Sequence, residues 1–283
     1  MQQLAAARIA FIGGGNMARA LIAGLRRQLV SPDQISVGEP DARSRSTMQS
    51  DWGVAVSADN NEAARDADLV VLAVKPQQAA EVLRALHPTL RQSRPVLLSI
   101  AAGLRLADLS LACPSGTAIV RAMPNRPALV GAGVTGLYAA MSVNAEQRKL
   151  AELVGKASGR AVWLRAEAEL DVVTALSGSG PAYFFLMAEE MARAAHNLGL
   201  ERETALLLAC ATLHGAGMLA NENLSLAAQR EAVTSRGGTT EAALRALSQG
   251  GFERLIAAAV QAGAARSVEL AGALSTSLQV ERD

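Results

Sequence analysis

The sequence predicts an α/β fold: an amino-terminal domain built on a parallel sheet, residues 1–166, followed by an all-α domain, residues 167–283. Three observations lead there. Short apolar runs alternate with amphipathic, Ala-rich segments through the first half. A glycine-rich turn lies directly between the first strand-like run and the first helical one. Beyond Leu170 every periodic segment suits a helix and no strand-like run interrupts them. Alternating strand and helix signals are what a parallel sheet needs, because each strand must be returned to the same end by a crossover, here with helices on both faces.

Taken in order, Arg8–Ile12 reads as a buried strand and Asn16–Arg27 as a helix. Ile35–Val37 is a second strand and Ala42–Ser50 a second helix. A short strand at Val54–Val56 precedes a helix from Asn61, and further strands fall at Leu69–Val74, Val96–Ile100 and Ala118–Arg121. Gly131–Tyr138 and Ala161–Leu164 are two more strands that close the domain, with the boundary between Ala166 and Leu170. In the second half, Leu176–Leu198, Arg202–Ala220, Leu226–Val233, Thr240–Gln249 and Phe252–Ser275 suit helices separated by Gly-bearing breaks. Their apolar faces are wide enough to predict a further burial partner.

Composition removes several function classes. Half of the 283 residues are apolar and 19% are charged, as expected for ordered globular domains. Lys+Arg number 27 against Asp+Glu 26, and aromatic residues make up 3%. A chain so balanced has neither the cationic excess nor the stacking surfaces that nucleic acid requires, so none is expected as a partner. The longest apolar runs, such as Leu69–Val74, fall well short of the roughly 20 residues of a membrane span, and no membrane partner is expected. Met1-Gln2-Gln3-Leu4 lacks the charged and apolar regions of a secretory signal. Cys113 and Cys210 form no disulfide framework or ligand spacing, which points to a reducing cytoplasm. His87, His196 and His214 are scattered, and no metal site is expected.

Gly13-Gly14-Gly15-Asn16-Met17-Ala18 fits G-x-G-x-x-A after the first strand and at the start of a helix. The first glycine permits a tight turn, the second lets backbone approach a pyrophosphate, and Ala18 keeps helix and strand close. The helix N-terminus adds oriented N–H groups. In this strand–turn–helix–strand order the motif predicts a Rossmann domain binding a dinucleotide. At the end of the second strand Glu39 is placed to accept from a ribose 2′-hydroxyl, whereas Arg43 and Arg45 are placed to meet a 2′-phosphate. NADP(H) is the preferred expectation, with NAD(H) left open; the arginines also read as a solvated helix surface. Ala73-Val74-Lys75-Pro76 closes the fourth strand at the carboxyl edge, where ligands of open parallel sheets bind, so Lys75 is expected to face the cofactor. Ile100–Gly103 and Met123–Asn125 follow later strands, and their small side chains leave room for a nicotinamide ring.

In the helical half, Ser177-Gly178-Ser179-Gly180-Pro181-Ala182-Tyr183 opens a long helix, either for packing or for close approach of another backbone. The loop Thr234-Ser235-Arg236-Gly237-Gly238-Thr239-Thr240-Glu241 joins two helices. Its glycines let N–H groups converge at the second helix's N-terminus, a site for a carboxylate or phosphate, and Thr240 offers a hydroxyl to a substrate heteroatom. A plain capped interhelical loop is the alternative.

Taken together, FIGGGNMA, LAVKPQ, SIAAG, RAMPN, VTALSGSGPAYFF and VTSRGGTTEAAL, followed by Gly250-Gly251-Phe252, resemble the pyrroline-5-carboxylate reductase family over essentially the whole chain. The resemblance implies NAD(P)H-dependent reduction of a small cyclic imine, L-1-pyrroline-5-carboxylate, to L-proline. By the same resemblance Gly13, Gly15, Asn16 and Met17 form the pyrophosphate loop, and Asn60, Ala73, Val74, Lys75 and Ala102 contact the cofactor; the glycine turn and strand ends, read above, add Gly14, Glu39, Arg43 and Pro76 to that set. Glu167, Glu222, Ser235, Gly237, Gly238, Thr239 and Thr240 match positions around the substrate, with Thr240 the catalytic candidate. The helical half resembles an interlocked homodimerisation domain, and such dimers can assemble into decamers. Two positions depart from the family pattern: Arg126 stands where threonine is common after Met-Pro-Asn, and Arg236 where the substrate loop commonly has proline.

Rival chemistries are weakened by what is missing. A β-hydroxyacid dehydrogenase uses a lysine on a helix of the second domain, and no lysine follows Lys156. Neither Tyr138 nor Tyr183 has lysine four positions later, which removes the short-chain dehydrogenase arrangement. A reductase of a related cyclic imino acid and a non-catalytic dinucleotide sensor are the readings left beside the first.

Overall fold

A computed structural model of the chain describes residues 7–220 and 225–280. Fifteen regular elements make the amino-terminal part: β1 (Ile9–Ile12), α1 (Asn16–Arg27), β2 (Ile35–Gly38), α2 (Ala42–Trp52), β3 (Ala55–Ser57), α3 (Asn60–Ala64), β4 (Leu69–Leu72), α4 (Ala79–Ala85), α5 (His87–Ser93), β5 (Val96–Ser99), α6 (Leu106–Ala112), β6 (Ala118–Met123), β7 (Gly133–Ala139), α7 (Ala145–Ala157) and β8 (Gly159–Trp163). The strands form one sheet in the order β3-β2-β1-β4-β5-β6-β7-β8. After β3 the chain crosses to the other side of β1, so the carboxyl ends of β1 and β4 flank the point where strand order reverses. That crevice is where open α/β sheets take ligands.

Alternation along the strands sorts side chains onto two faces. Phe11, Val37, Val71, Leu98 and Val120 pack on one face with Leu21, Leu25, Met48, Ala151 and Val154 of α1, α2 and α7. Ala10, Ile12, Val70, Leu72, Leu97 and Ile119 pack on the other with Ala64, Leu83, Leu90 and Leu109 of α3 to α6. Helices therefore cover both faces, and the central strands are buried throughout. On the first face α1 and α7 meet backbone to backbone: a Cβ on Gly24 would stand 1.8 Å from the Ala157 carbonyl oxygen.

Sheet direction reverses at one place, between the parallel strands and the two that close the domain. β6 and β7 are antiparallel, with Arg121 opposite Tyr138, while every other neighbouring pair is parallel. Only the loop 124–132, holding a short 3₁₀ turn at Arg126–Val130, joins them. That span is too short to carry the chain back for a parallel pairing. β4 also stops at Leu72, short of the expected Val74, which releases Ala73–Pro76 as loop.

The remaining elements are α8 (Glu169–Val173), a π-turn at Thr174–Gly178, α9 (Gly180–Asn197), α10 (Arg202–Leu219), α11 (Leu226–Ala232), α12 (Thr239–Gln249) and α13 (Phe252–Val280). The expected helix from Leu176 thus begins at Gly180 instead, because the π-turn intervenes. By packing the chain divides into two units, one running through Gly178 and including the stretch from Gly263 onward, the other Ser179–Ala262. The expected boundary at Ala166 lies inside the first unit. Within that unit the end of α13 is tied down by Ser267 Oγ donating to Asp171 Oδ1 at 2.6 Å and Ser275 Oγ to Asp108 Oδ2 at 2.8 Å. Within the second unit α9 and α10 pair through Ala188, Ala192, Ala205 and Ala209. Phe184, Phe185, Leu206, Leu207 and Met218 stay exposed there, more apolar surface than a two-helix core of alanines can cover.

Candidate active site

The glycine loop has the form its sequence requires. Gly13 takes φ +100°, and a Cβ there would lie 2.8 Å from the Ala73 carbonyl oxygen, so both the turn and the close passage of the β4 loop demand glycine. Its N–H donates to Gly38 O at 2.8 Å, and Ala73 N–H to Ile12 O at 2.8 Å. Gly15 is different. Its backbone is ordinary, φ −69° and ψ 177°, no side chain caps α1, and the space a Cβ would take has no protein atom within 4 Å. An exposed, uncapped amino end of a twelve-residue helix with open space above Gly15 fits a dinucleotide pyrophosphate. Asn16 and Met17 open that helix, Asn16 exposed and Met17 half-buried against the core.

Glu39, at the end of β2, is bound into the loop. Oε2 accepts from Gly14 N–H at 2.8 Å and Oε1 from Asp41 N–H at 2.9 Å. Arg45 is spent on backbone, donating to the carbonyls of Glu39 and Pro40 at 2.7 and 2.8 Å, which removes it from the pair of arginines expected to face a 2′-phosphate. Arg43 is exposed on the first turn of α2, and its guanidinium has no partner among the described residues. Arg19 links the same region: Nε donates to Gly14 O at 3.0 Å and Nη2 to Ser44 Oγ at 2.8 Å. Arg19 and Ser44 were not legible as site residues, since neither belongs to the glycine motif. Asn60 opens α3 beside Gly38, where a Cβ would come 2.3 Å from its Oδ1.

The carboxyl edge continues through Ala73, Val74, Lys75 and Pro76. Lys75 is exposed with no partner among the described residues, and Pro76 starts a short 3₁₀ turn. Ala102 is exposed just beyond β5. After β6, Asn125 is buried and Arg126 exposed. Glu167 Oε1 accepts from Arg121 Nη1 and from Leu106 N–H, both at 2.7 Å, while Oε2 has no hydrogen bond among the described residues. Arg121, 46 residues earlier in the chain, could not be paired with Glu167 from sequence.

In the second unit, Ser235–Thr240 forms the turn into α12. Gly237 takes φ +73°, and Gly238 is the N-cap, with Ser235 Oγ 2.4 Å from where its Cβ would be. Two of the four expected anion donors are already engaged: Gly238 N–H with Ser235 O at 3.0 Å, and Gly237 N–H with Glu241 Oε2 at 2.8 Å. The amides of Thr239 and Thr240 have no acceptor among the described residues and no side chain caps the helix, so they are the donors left for a ligand. Ser235, Arg236 and Thr239 are exposed and Thr240 half-exposed. Glu222 lies outside the described residues.

Burial pushes the Cys113 thiol up to about 12, which leaves it a neutral core residue. Among the described residues no group of three metal-ligating side chains is assembled, and no helix is long and apolar enough to cross a membrane.

An uncapped glycine loop at a strand-order reversal, followed by a helical unit whose α12 turn leaves the Thr239 and Thr240 amides without acceptors among the described residues, has the form of a dinucleotide-binding protein with a second, helical module. Residues 167–270 match the family model for pyrroline-5-carboxylate reductase dimerisation, and residues 8–103 that for NADP oxidoreductase, coenzyme F420-dependent. The pyrroline-5-carboxylate reductases of Pseudomonas aeruginosa and Haemophilus influenzae are 46% and 43% identical to this chain, each alignment covering 93% of it and 97% of the relative. The structure of a pyrroline-5-carboxylate reductase from Coxiella burnetii superposes with a TM-score of 0.91 at 39% identity, covering 94% of this chain and 98% of that one. That of the Plasmodium falciparum pyrroline carboxylate reductase with NADP bound gives 0.79 at 28%, over 94% and 98%. The chain belongs to the pyrroline-5-carboxylate reductase family.

Proposed function

We propose that this chain reduces L-1-pyrroline-5-carboxylate to L-proline with NADPH, in the cytoplasm, as a step of proline synthesis. The observation that carries the reading is the turn into α12, where the Thr239 and Thr240 amides, Ser235 Oγ and the Thr240 hydroxyl are presented together at a helix N-terminus. The two amides and Ser235 Oγ suit the substrate carboxylate, and they suit it better at an end of positive helix dipole. Glu241, by holding Gly237 N–H, fixes the turn in place before a ligand arrives.

When bound, a nicotinamide dinucleotide would supply a hydride for the imine carbon, with Gly13 to Met17, Lys75 and Ala102 among the residues that would hold it. The substrate brings its own proton as the iminium, so the protein needs no strong acid. Thr240 Oγ is assigned to the ring nitrogen, where it orients the C=N bond; a threonine hydroxyl is too weak an acid to do more. Catalysis then comes mainly from alignment and fixed dipoles. On the cofactor side Gly13, Gly14, Gly15, Asn16 and Met17 are assigned to the pyrophosphate, Arg43 to the 2′-phosphate, and Asn60, Ala73, Val74, Lys75, Pro76 and Ala102 to the rest of the dinucleotide. Glu39 acts through the loop it holds. Glu167 and Glu222 are assigned to the substrate by family resemblance.

The boundary between the two modules is assigned to residues 166–167, a reading that the dimerisation match over residues 167–270 supports. The exposed apolar side chains of α9 and α10 fit a homodimer interface, and assembly of dimers into decamers follows from the family resemblance. Light scattering of the purified protein measures the assembly. The activity is tested by following NADPH oxidation on addition of L-1-pyrroline-5-carboxylate, with the six-membered-ring imino acid in parallel. Turnover preferring the five-membered ring supports the reading. Preference for the larger ring reassigns the substrate, and NADPH binding without turnover of either makes the chain a sensor.

A further inference from the structure

At the carboxyl end of β6 the chain runs Met123-Pro124-Asn125 and turns back through 126–130 into β7. Asn125 is only 8% exposed, and its amide is used in two directions. Oδ1 accepts from Val134 N–H at 2.9 Å, and Nδ2 donates to the Ser177 carbonyl at 3.0 Å. The partners fix the amide's orientation, since Val134 offers only a donor and Ser177 O only an acceptor. One buried side chain thereby ties the end of β6, the start of β7 and the π-turn Thr174–Gly178. Within that turn Thr174 Oγ donates to Leu170 O at 2.8 Å and Ser177 Oγ to Val173 O at 3.0 Å, so the hydroxyls satisfy carbonyls one turn back. Gly178 lets Met123 lie against it, for a Cβ there would be 2.8 Å from the methionine Cε. A π-turn is unusual in a helix and occurs frequently at functional sites.

β6 ends on the same edge as the Ala73–Pro76 and Ala102 loops, and the order β1-β4-β5-β6 places it away from the glycine loop, toward the ring end of an extended dinucleotide. We propose that Asn125 is a positioning residue for hydride transfer, holding the Met123–Asn125 loop and the π-turn as one rigid wall at the ring end of the cofactor cleft. The proposal rests on the reductase reading above. It assigns Asn125 an effect on ring alignment and none on the phosphate contacts, which lie at the other end of the cleft.

The test compares Asn125→Ala, which removes both bonds, with Asn125→Asp. The aspartate keeps the acceptor for Val134 N–H but turns a repelling oxygen toward Ser177 O until it is protonated. Steady-state kinetics, NADPH affinity by fluorescence, the primary deuterium isotope effect with 4-deuterated NADPH and thermal unfolding are measured on each. For Asn125→Ala we expect kcat to fall about tenfold or more with a raised isotope effect, because small misplacements at a reacting centre cost that much, while NADPH affinity stays within about twofold. For Asn125→Asp, kcat relative to the native protein at the same pH should recover as pH falls and the neutral carboxyl donates to Ser177 O. Native kcat and isotope effect in both variants, with only the unfolding temperature lowered, would reduce Asn125 to a structural role. If Asn125→Ala does not fold, a pH-independent activity ratio for Asn125→Asp overturns the proposal on its own. A native protein that fails to turn over the imine defeats the reductase reading instead.

Discussion

Glu39 Oε2 accepts the Gly14 N–H at 2.8 Å, so the acid that ends β2 is anchored to the middle glycine of the loop after β1. Its other oxygen holds the Asp41 N–H. The carboxylate thus stiffens the turn between the two strands, and the nearby cations divide into those that do the same and one that does not. Arg19 and Arg45 are bonded to loop carbonyls, whereas the Arg43 guanidinium is uncommitted. Arg43→Ala should therefore raise KM for NADPH about tenfold, the loss of one charge-assisted hydrogen bond, and change KM for NADH little. Parallel titrations of the two cofactors check this. Equal losses for both would remove Arg43 from phosphate recognition.

Thr240 is the one side chain of the α12 turn given a role at the reacting bond. Thr240→Ala should lower kcat by about 10- to 100-fold at saturating NADPH, the range for losing a single preorganised hydrogen-bond partner, and Thr240→Ser should retain most of the rate. KM for the imine should move less than kcat, because the backbone amides that receive the carboxylate are untouched. Near-native kcat in the alanine variant would show that substrate protonation alone suffices.

The closeness of α1 and α7 makes Gly24 a stability determinant that has no part in the cofactor motif. A Cβ there would overlap the Ala157 carbonyl oxygen, which is backbone and cannot swing away. Gly24→Ala should cost about 1–3 kcal/mol, as overpacking of a tight interface does, despite alanine's better helix propensity. Denaturant unfolding measures it, and a stabilised variant would mean that the two helices separate at little cost.

Local signals carried much of this architecture. The buried runs at Ile9–Ile12 and Leu69–Leu72, the G-x-G-x-x-A turn and the Gly237-Gly238 turn are written in contiguous residues, so their conformations could be read directly. What stayed hidden depends on contacts distant in sequence. The antiparallel pairing of β7 follows from where a short loop emerges, and the π-turn is held by Asn125, which no periodicity links to Ser177. Arg121 and Glu167 likewise meet only in the folded chain. The engagement of Gly237 N–H by Glu241 is an intermediate case. A glutamate in the third helical position after a glycine cap is a recognisable capping signal; it removes the Gly237 amide from the expected anion donors, and the Ser235 carbonyl, which no sequence signal marks, removes that of Gly238.

The edge of the sheet at β8 supplies a pH-dependent stability term. Hydrogen bonding from Lys156, then from Trp163 Nε1 at 3.1 Å, holds the Glu152 carboxyl below its ordinary value of 4.5, and Arg148 adds to the effect while stacking 4.1 Å from the Trp163 ring centroid. A carboxyl whose folded value is depressed contributes its stability above the unfolded value and loses it as pH falls through the folded one. The side chains of Lys156 and Glu152 are 55% and 31% exposed, so solvent screening limits the contribution to about 0.5 kcal/mol. Glu152→Gln should accordingly lower Tm by about 1–2 °C at pH 7. The gap should persist down to pH 4.5 and close only as the pH drops through the lowered folded value. Because the term is electrostatic, added salt should narrow it at pH 7 as well. A Tm difference that ignores both pH and salt would assign Glu152 to packing against Trp163, with its charge contributing nothing.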